Sequence, residues 1–142
     1  MDAIANKRTV RRVFDEGFTA GNADVVDECL AADAVDRHPF GDDEPDFRAH
    51  LKGIIRMLRG AMPDLRAEVN DIVAEGDRVA ARVSLTGTHT GEPLFGTPAC
   101  GGRIQIEQFH IVQCDDRALG IRHWAYAGVD QMLSQLASQQ IA

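Results

Sequence analysis

Residues 103–114 read RIQIEQFHIVQC, and this stretch decides the fold more clearly than any other. Successive side chains of a strand point to opposite faces, so its alternation of apolar and polar residues predicts a half-buried strand from Arg103 to Cys114. One face of that strand carries aliphatic side chains together with an amide and an imidazole: Ile104, Ile106, Gln108, His110 and Val112. We therefore expect a sheet whose apolar face holds polar groups at defined positions.

Other segments repeat the two-residue period and predict further antiparallel strands. They cover residues 65–73, 78–85 and 119–126. Turn residues connect them at 75–77 and 115–117, and a loop rich in Gly and Pro spans 91–102. His89 and His123 both share the parity of the apolar faces of their strands. The predicted sheet thus carries three histidines on otherwise apolar faces.

The rest of the chain shows the three- and four-residue spacing of amphipathic helices. Apolar stripes predict helices through residues 10–18, 22–30, 45–62 and 129–136, with a short strand near Val35. Helices followed by antiparallel strands define an α+β order. We expect a cone-shaped barrel, in which three N-terminal helices pack on a curved, mainly antiparallel sheet and a short C-terminal helix follows. The open end of such a cone is the expected pocket for a small molecule.

Length and composition narrow the class of protein. The chain has 142 residues and no visible linker, which predicts a single domain over residues 1–142. Its net charge of −7 disfavours nucleic acid and anionic membranes as partners. No apolar stretch approaches the ~20 residues of a membrane span, and a secretion signal is not visible, so we expect a cytoplasmic protein. Cys29, Cys100 and Cys114 form no Cys-x-x-Cys pair and are expected to be free thiols.

The strand histidines are the main candidates for chemistry. Each of His89, His110 and His123, taken alone, is explained as a buried imidazole that is hydrogen-bonded to a backbone carbonyl. Three together favour a site, because imidazole changes charge near neutral pH and is a common general acid or base. His38 lies in a loop after the second helix, where it could cross the mouth of the pocket.

Motifs for metals and cofactors do not occur in the sequence. The spacings His-x-His, His-x-x-x-His and His-Glu-x-x-His are missing, as are Gly-x-Gly-x-x-Gly, a Walker loop and Gly-x-Ser-x-Gly. We therefore expect neither a metal nor a cofactor. Trp124 and Tyr126 have the opposite parity from His123, and could line a second core layer, a dimer face or, after a bulge, the pocket.

Several short motifs, taken together with the order of elements, resemble one family. They are Asp36-Arg37-His38-Pro39, Met62-Pro63-Asp64-Leu65, Gly87-Thr88-His89-Thr90-Gly91, Glu107-Gln108-Phe109-His110 and His123-Trp124. Over nearly the whole chain they resemble the SnoaL-like polyketide cyclases of the nuclear transport factor 2-like (NTF2-like) superfamily. That resemblance implies a cofactor-free intramolecular aldol closure of a polyketide ester, begun by removal of a proton alpha to a carbonyl.

The resemblance also locates a departure. The acid/base of the family is an Asp two residues after the His that matches His123, and this chain has Ala125 there. We therefore expect His110 and His123 to supply the acid/base chemistry, with Asp36 orienting a histidine or binding a substrate hydroxyl. The residues expected to bind substrate are His38, His89, Gln108, Phe14 and Trp124.

The leading hypothesis is thus an ester cyclase acting on an apolar, oxygenated small molecule. Ala125 favours the alternative of a non-catalytic or accessory ligand-binding member. A related hydroxylase or epoxide hydrolase is a further alternative; the epoxide hydrolase needs an Asp-Arg-Asp set, but Arg82 and Arg103 are out of phase with the apolar faces. A dimerisation module is also open. We expect a homodimer in each case, because Phe109 and Ile111 lie opposite His110 on a face that needs cover.

Overall fold

The computed structural model describes residues 2–37 and 42–139, and it shows the predicted α+β arrangement. Helix α1 (Ala3–Arg12) continues as a π-helical segment (Val13–Thr19), and a 3₁₀ turn (Ala23–Val25) leads into α2 (Val26–Cys29). The longer helices that follow are α3 (Phe47–Ala61) and α4 (Val129–Gln139). The strands are β1 (Leu30–Asp36), β2 (Arg66–Glu75), β3 (Arg78–Thr88), β4 (Arg103–Cys114) and β5 (Gly120–Tyr126).

Local signals explain where the helices begin and end. The Asp2 carboxylate caps α1 by accepting from the amides of Ile4 and Ala5, and Asp46 caps α3 by accepting from Ala49. Helix α3 therefore begins at Phe47, two residues later than Pro45 suggested. Gly21, at φ 83°, takes the left-handed conformation that ends the first helical segment.

The π-helical segment differs from the regular helix that the sequence predicts. Its buried residues are Val13, Phe14, Gly17 and Phe18. A regular helix would place the same apolar residues on the buried side, so their spacing does not distinguish the two conformations.

The five strands form one sheet in the order β1-β5-β4-β3-β2. Strand β1 runs parallel to β5, and every other neighbouring pair is antiparallel. In this register Asp36 lies beside His123, and His110 lies between Ala81 and Ala125. The short strand expected near Val35 is thus a full edge strand that brings Asp36 to β5.

The core lies between the helices and the inner face of the sheet. Burial alternates along β3 and β4 as the sequence predicts, so Val79, Val83, Ile104 and Ile106 are buried in one apolar cluster with the helices. The outer face of the sheet leaves large apolar side chains exposed, Phe109 among them. Among the described residues, no helix combines the length and the apolar character that crossing a membrane requires.

Candidate functional site

A cavity of about 680 Å³ opens inside the fold, between the inner face of the sheet, α3 and α4. Most of its wall is apolar, with Phe47, Ile54 and Met132 among the lining residues. Its polar lining residues are Asp36, Arg37, His50, Gln108, His110 and His123. A largely apolar cavity with a few polar groups on one wall is the usual form of a small-molecule site.

Four of those side chains form one continuous chain of hydrogen bonds. Asp36 Oδ1 lies 2.7 Å from His123 Nδ1, and His123 Nε2 lies 2.9 Å from His110 Nδ1. His110 Nε2 lies 3.0 Å from Gln108 Oε1, and the Gln108 amide donates to the Ala127 carbonyl at 2.9 Å. We call Asp36, His123, His110 and Gln108 the relay chain. Every ring nitrogen of its two imidazoles has a partner within it.

Aromatic rings hold the two imidazoles in place. The Phe47 ring is stacked on His123 at 5.0 Å between centroids, and the two hydrogen-bonded imidazoles lie at 24° to each other with their centroids 5.2 Å apart. Phe14 packs against His110 at 4.9 Å from the other side. Such packing fixes ring orientation, which the hydrogen bonds of the relay chain require.

The surroundings of His110 disfavour a second proton on its ring. His110 is 9% exposed. Burial, with a smaller effect from the neighbouring His123, lowers the pKa of His110 from 6.5 to about 3. His110 is therefore a neutral imidazole at pH 7.

The structure brings four of the eight predicted site residues together in the cavity. These four lie on three strands, β1, β4 and β5, and they are Asp36, Gln108, His110 and His123. Phe14 instead lines a separate apolar void of about 50 Å³ behind the two imidazoles. It therefore supports His110 rather than facing the large cavity.

Two expected substrate-binding residues lie elsewhere. His89 is fully buried beyond the end of β3, where its Nε2 is 2.7 Å from the Glu92 carbonyl oxygen, and it does not line the cavity. His89 thus lies on the buried side that its parity indicates, with the backbone-carbonyl partner expected of a single buried imidazole, but outside the cavity. Trp124 lines a concavity on the outer face, 4.9 Å from the Arg78 guanidinium, as its parity indicates. His38 lies outside the described residues.

The sequence reasoning missed the contributions of Phe47 and Ala127. Phe47 belongs to the apolar stripe of α3, and nothing in that stripe marks the residue that meets an imidazole. Ala127 acts through its backbone carbonyl, which the sequence does not reveal. Ala125 lines the cavity beside His110, so the site has no carboxylate at the position where the resemblance places one. The carboxylate of this site comes instead from Asp36 on the neighbouring strand.

Metal ligation finds no support in the described ranges, 2–37 and 42–139. Within them, no group of three or more His, Cys, Asp and Glu side chains is arranged to hold an ion. The arrangement of the relay chain is suited to proton transfer among hydrogen-bonded groups.

One protein family matches almost the whole of this sequence. Its description is SnoaL-like polyketide cyclase, and its sequence model matches residues 8–136. The chain belongs to the SnoaL-like polyketide cyclase family. The fold and family that the sequence motifs suggested are thereby confirmed. No curated protein matches the chain.

Several solved structures superpose on this chain over nearly its full length. TsrD from Streptomyces laurentii is 25% identical, with a TM-score of 0.83 over 97% of this chain and 98% of that one. IdmH from Streptomyces antibioticus, a candidate polyketide cyclase, is 27% identical, with a TM-score of 0.77 over 93% and 98%. An epoxide hydrolase from M. tuberculosis, described as LEH-like, shares the fold at 17% identity, with a TM-score of 0.71 over 99% and 95%. The fold therefore occurs with more than one chemistry.

Proposed function

We propose that this chain is a cofactor-independent polyketide cyclase that closes a ring by an intramolecular aldol reaction in the interior cavity. The observation that carries the proposal is the relay chain, which places a carboxylate and two coupled imidazoles on the wall of an apolar cavity in a member of this family. The substrate class is an apolar, oxygenated polyketide ester. Asp36, His123 and His110 are the catalytic residues in this proposal.

The reaction takes one proton from the substrate and returns one. The relay chain removes the proton on the carbon alpha to a carbonyl, and the electron pair of that C–H bond forms an enolate. The enolate carbon attacks a second carbonyl of the same molecule, a carbon–carbon bond forms, and the new alkoxide takes a proton back from the relay chain. No electrons are gained or lost, so the step needs no redox partner.

The surroundings of the relay chain favour this proton transfer. The Asp36 carboxylate stabilises positive charge on His123 through their 2.7 Å contact. The largely apolar walls lower the local polarity, which strengthens the interaction between the polar groups and the developing enolate. Asp36 thus takes the part that a carboxylate at position 125 has in the resemblance.

Cyclisation of a panel of aryl polyketo methyl esters, followed by mass spectrometry and NMR of the products, tests the proposal. We expect ring-closed product from the wild type. Asp36→Asn should reduce kcat at least tenfold, because an amide does not stabilise the imidazolium as a carboxylate does. Asp116→Asn, in an exposed turn, is the matched control. Equal rates for Asp36→Asn and the wild type would contradict the proposal.

Ala125 favours a second candidate, a ligand-binding member without catalysis. The cavity would then bind the same class of molecule, and the panel esters would be recovered chemically unchanged from a complex detectable by calorimetry. The epoxide hydrolase alternative receives less support, because Arg82 points outward and pairs with Asp71 and Glu107. Among the described residues, the cavity is lined by Asp36 and Arg37, but no second Asp lines it to complete an Asp-Arg-Asp set.

We infer that the partner on the outer face of the sheet is a second copy of this chain. The exposed apolar side chains there are Val73, Phe109, Ile111 and Tyr126, which surround a concavity of about 930 Å³. Arg82 and Asp71 on the same face are already paired within the chain, so the apolar side chains would form the contact between two copies related by a twofold axis. A cytoplasmic location fits the three free cysteines.

A further inference from the structure

The relay chain ends on a hydrogen-bond acceptor at each side. At one end is the Asp36 carboxylate, and at the other is the amide oxygen of Gln108. The orientation of that amide is fixed, because its NH₂ group donates to the Ala127 carbonyl at 2.9 Å. Turning the amide over would bring its oxygen against the carbonyl oxygen of Ala127. Gln108 therefore presents an acceptor to His110 Nε2.

This polarity determines how many protons the relay chain holds. Three hydrogen bonds link its four side chains, at 2.7, 2.9 and 3.0 Å, and each bond needs one proton. Two neutral imidazoles beside a carboxylate supply only two. With two protons, one of the three links brings two lone pairs together. A third proton removes that mismatch.

We propose that Gln108 is a positioning residue for the acid/base groups: held by Ala127, its amide oxygen fixes the Nε2–H tautomer of His110 and thereby favours uptake of a third proton by the relay chain. His110 Nδ1 then accepts from His123 Nε2, and His123 carries the positive charge between Asp36 and His110. The lowered pKa of His110 agrees with this placement of the charge. The stacked Phe47 ring also favours a cation at His123.

The other groups around the imidazoles do not replace Gln108 in this role. Within residues 2–37 and 42–139, the charged or titratable side chains that share the cavity with them are Asp36 and Arg37 at the end of β1 and His50 on α3. The first helical segment contributes Thr9, Val10, Val13, Phe14 and Phe18 to the back of the two rings, and α4 contributes Val129 and Met132 to the cavity. Among the described residues, only Gln108 contacts His110 Nε2 by hydrogen bonding.

The consequence for catalysis rests on the proposed function. A buried imidazole such as His110 is by itself a weak base, because burial disfavours the charged form. A chain whose hydrogen bonds are complete only after proton uptake is a stronger one. Gln108 would thus bring the midpoint for proton uptake by the relay chain closer to the working pH. A general base is most effective when these two values are close.

Long-range ¹H–¹⁵N spectra of the histidine rings, recorded over a pH titration without substrate, test the inference directly. In the wild type we expect the Nε2–H tautomer at His110. Gln108→Met removes the acceptor at similar length, so His110 should change to the Nδ1–H tautomer. The midpoint for uptake of the third proton should then fall by about one pH unit or more, a tenfold change in the proton-binding constant. Gln108→Glu keeps an acceptor and should retain the Nε2–H tautomer.

The matched control is Gln105→Met, an exposed glutamine on the same strand, which should leave both observations unchanged. An Nδ1–H tautomer at His110 in the wild type would overturn the inference, even if no variant folds. An unchanged tautomer and midpoint in folded Gln108→Met would do the same. Because neither readout needs turnover, the inference can hold when the cyclisation test fails, and it can fail when cyclisation is observed.

Discussion

At the scale of single residues, the decisive contact joins Asp36 to His123 across 87 positions of sequence. Strand parity was sufficient to predict that Gln108, His110 and His123 share the inner face, because side-chain direction is a local property of a strand. It was not sufficient to predict the partner of His123. That contact depends on the parallel pairing of β1 with β5, which no local pattern specifies.

His89 shows a second limit of the same kind. Its parity correctly indicates a buried side chain, and its backbone extends the pairing of β3 with the residues before β4 through Gly101 and Gly102. Its ring is bonded to the Glu92 carbonyl, however, and does not line the cavity. Parity therefore predicts which side of the sheet a side chain faces, but not how far along the strand the cavity extends.

Acid should destabilise the protein through His110. Its pKa is about 3 in the folded protein, against about 6.5 when unfolded, so between these values the unfolded chain binds a proton that the folded chain does not. This group therefore favours folding fully above pH 6.5 and loses that contribution as the pH falls toward 3. The loss approaches ~1.4 kcal/mol per pH unit.

Urea unfolding at pH 7 and pH 4.5 measures this effect in the wild type and in His110→Gln, whose amide keeps hydrogen-bonding groups but does not titrate. The variant should lose less stability on acidification than the wild type. An equal loss in both proteins would show that His110 does not cause the acid sensitivity.

At the scale of elements, the strand bounds were predicted closely and the helices less so. The expected strand 103–114 is β4 without change, since its alternation is uninterrupted and a turn or loop lies at each end. The π-helical segment and the full length of β1 were not predicted. Each depends on tertiary packing, which overrides weak local preferences.

Glycines provide a test of how tightly the elements pack. A Cβ on Gly53, inside α3, meets nothing within 4 Å, so Gly53→Ala should stabilise the protein by about 0.5–1 kcal/mol through helix propensity. A Cβ on Gly91 would lie 2.1 Å from the Gly60 carbonyl oxygen. Gly91→Ala should therefore destabilise by about 2 kcal/mol or more.

Thermal and urea unfolding of the two variants at one pH provide the comparison. A Gly91→Ala protein as stable as the wild type would mean that the loop after β3 does not approach the end of α3 as described. Loss of stability in Gly53→Ala would contradict the open surroundings of that position.

At the scale of the whole molecule, one face of the sheet lines the cavity and the other exposes large apolar side chains, which we propose are covered by a second copy. If a second copy covers the outer face, sedimentation velocity should show a dimer in the wild type. Ile111→Glu, in the middle of that face, should shift the protein to monomer, because it buries an unpaired charge in the interface. Ile4→Glu, at an exposed position on α1, is the matched control. A dimer that persists unchanged in Ile111→Glu would place the interface elsewhere.

The chemistry of the interior can be tested without knowing the natural substrate. In D₂O, the protons alpha to the carbonyl of an aryl ketone ester exchange for deuterium only when a base removes them, and ¹H NMR follows their loss. Wild-type protein should accelerate this exchange above the buffer rate. Asp36→Asn should remove at least nine-tenths of that acceleration, because a loss of one pK unit in base strength corresponds to a change of about tenfold. Exchange at the buffer rate with the wild type, or undiminished exchange with Asp36→Asn, would contradict a role for the relay chain as the acid/base of this cavity.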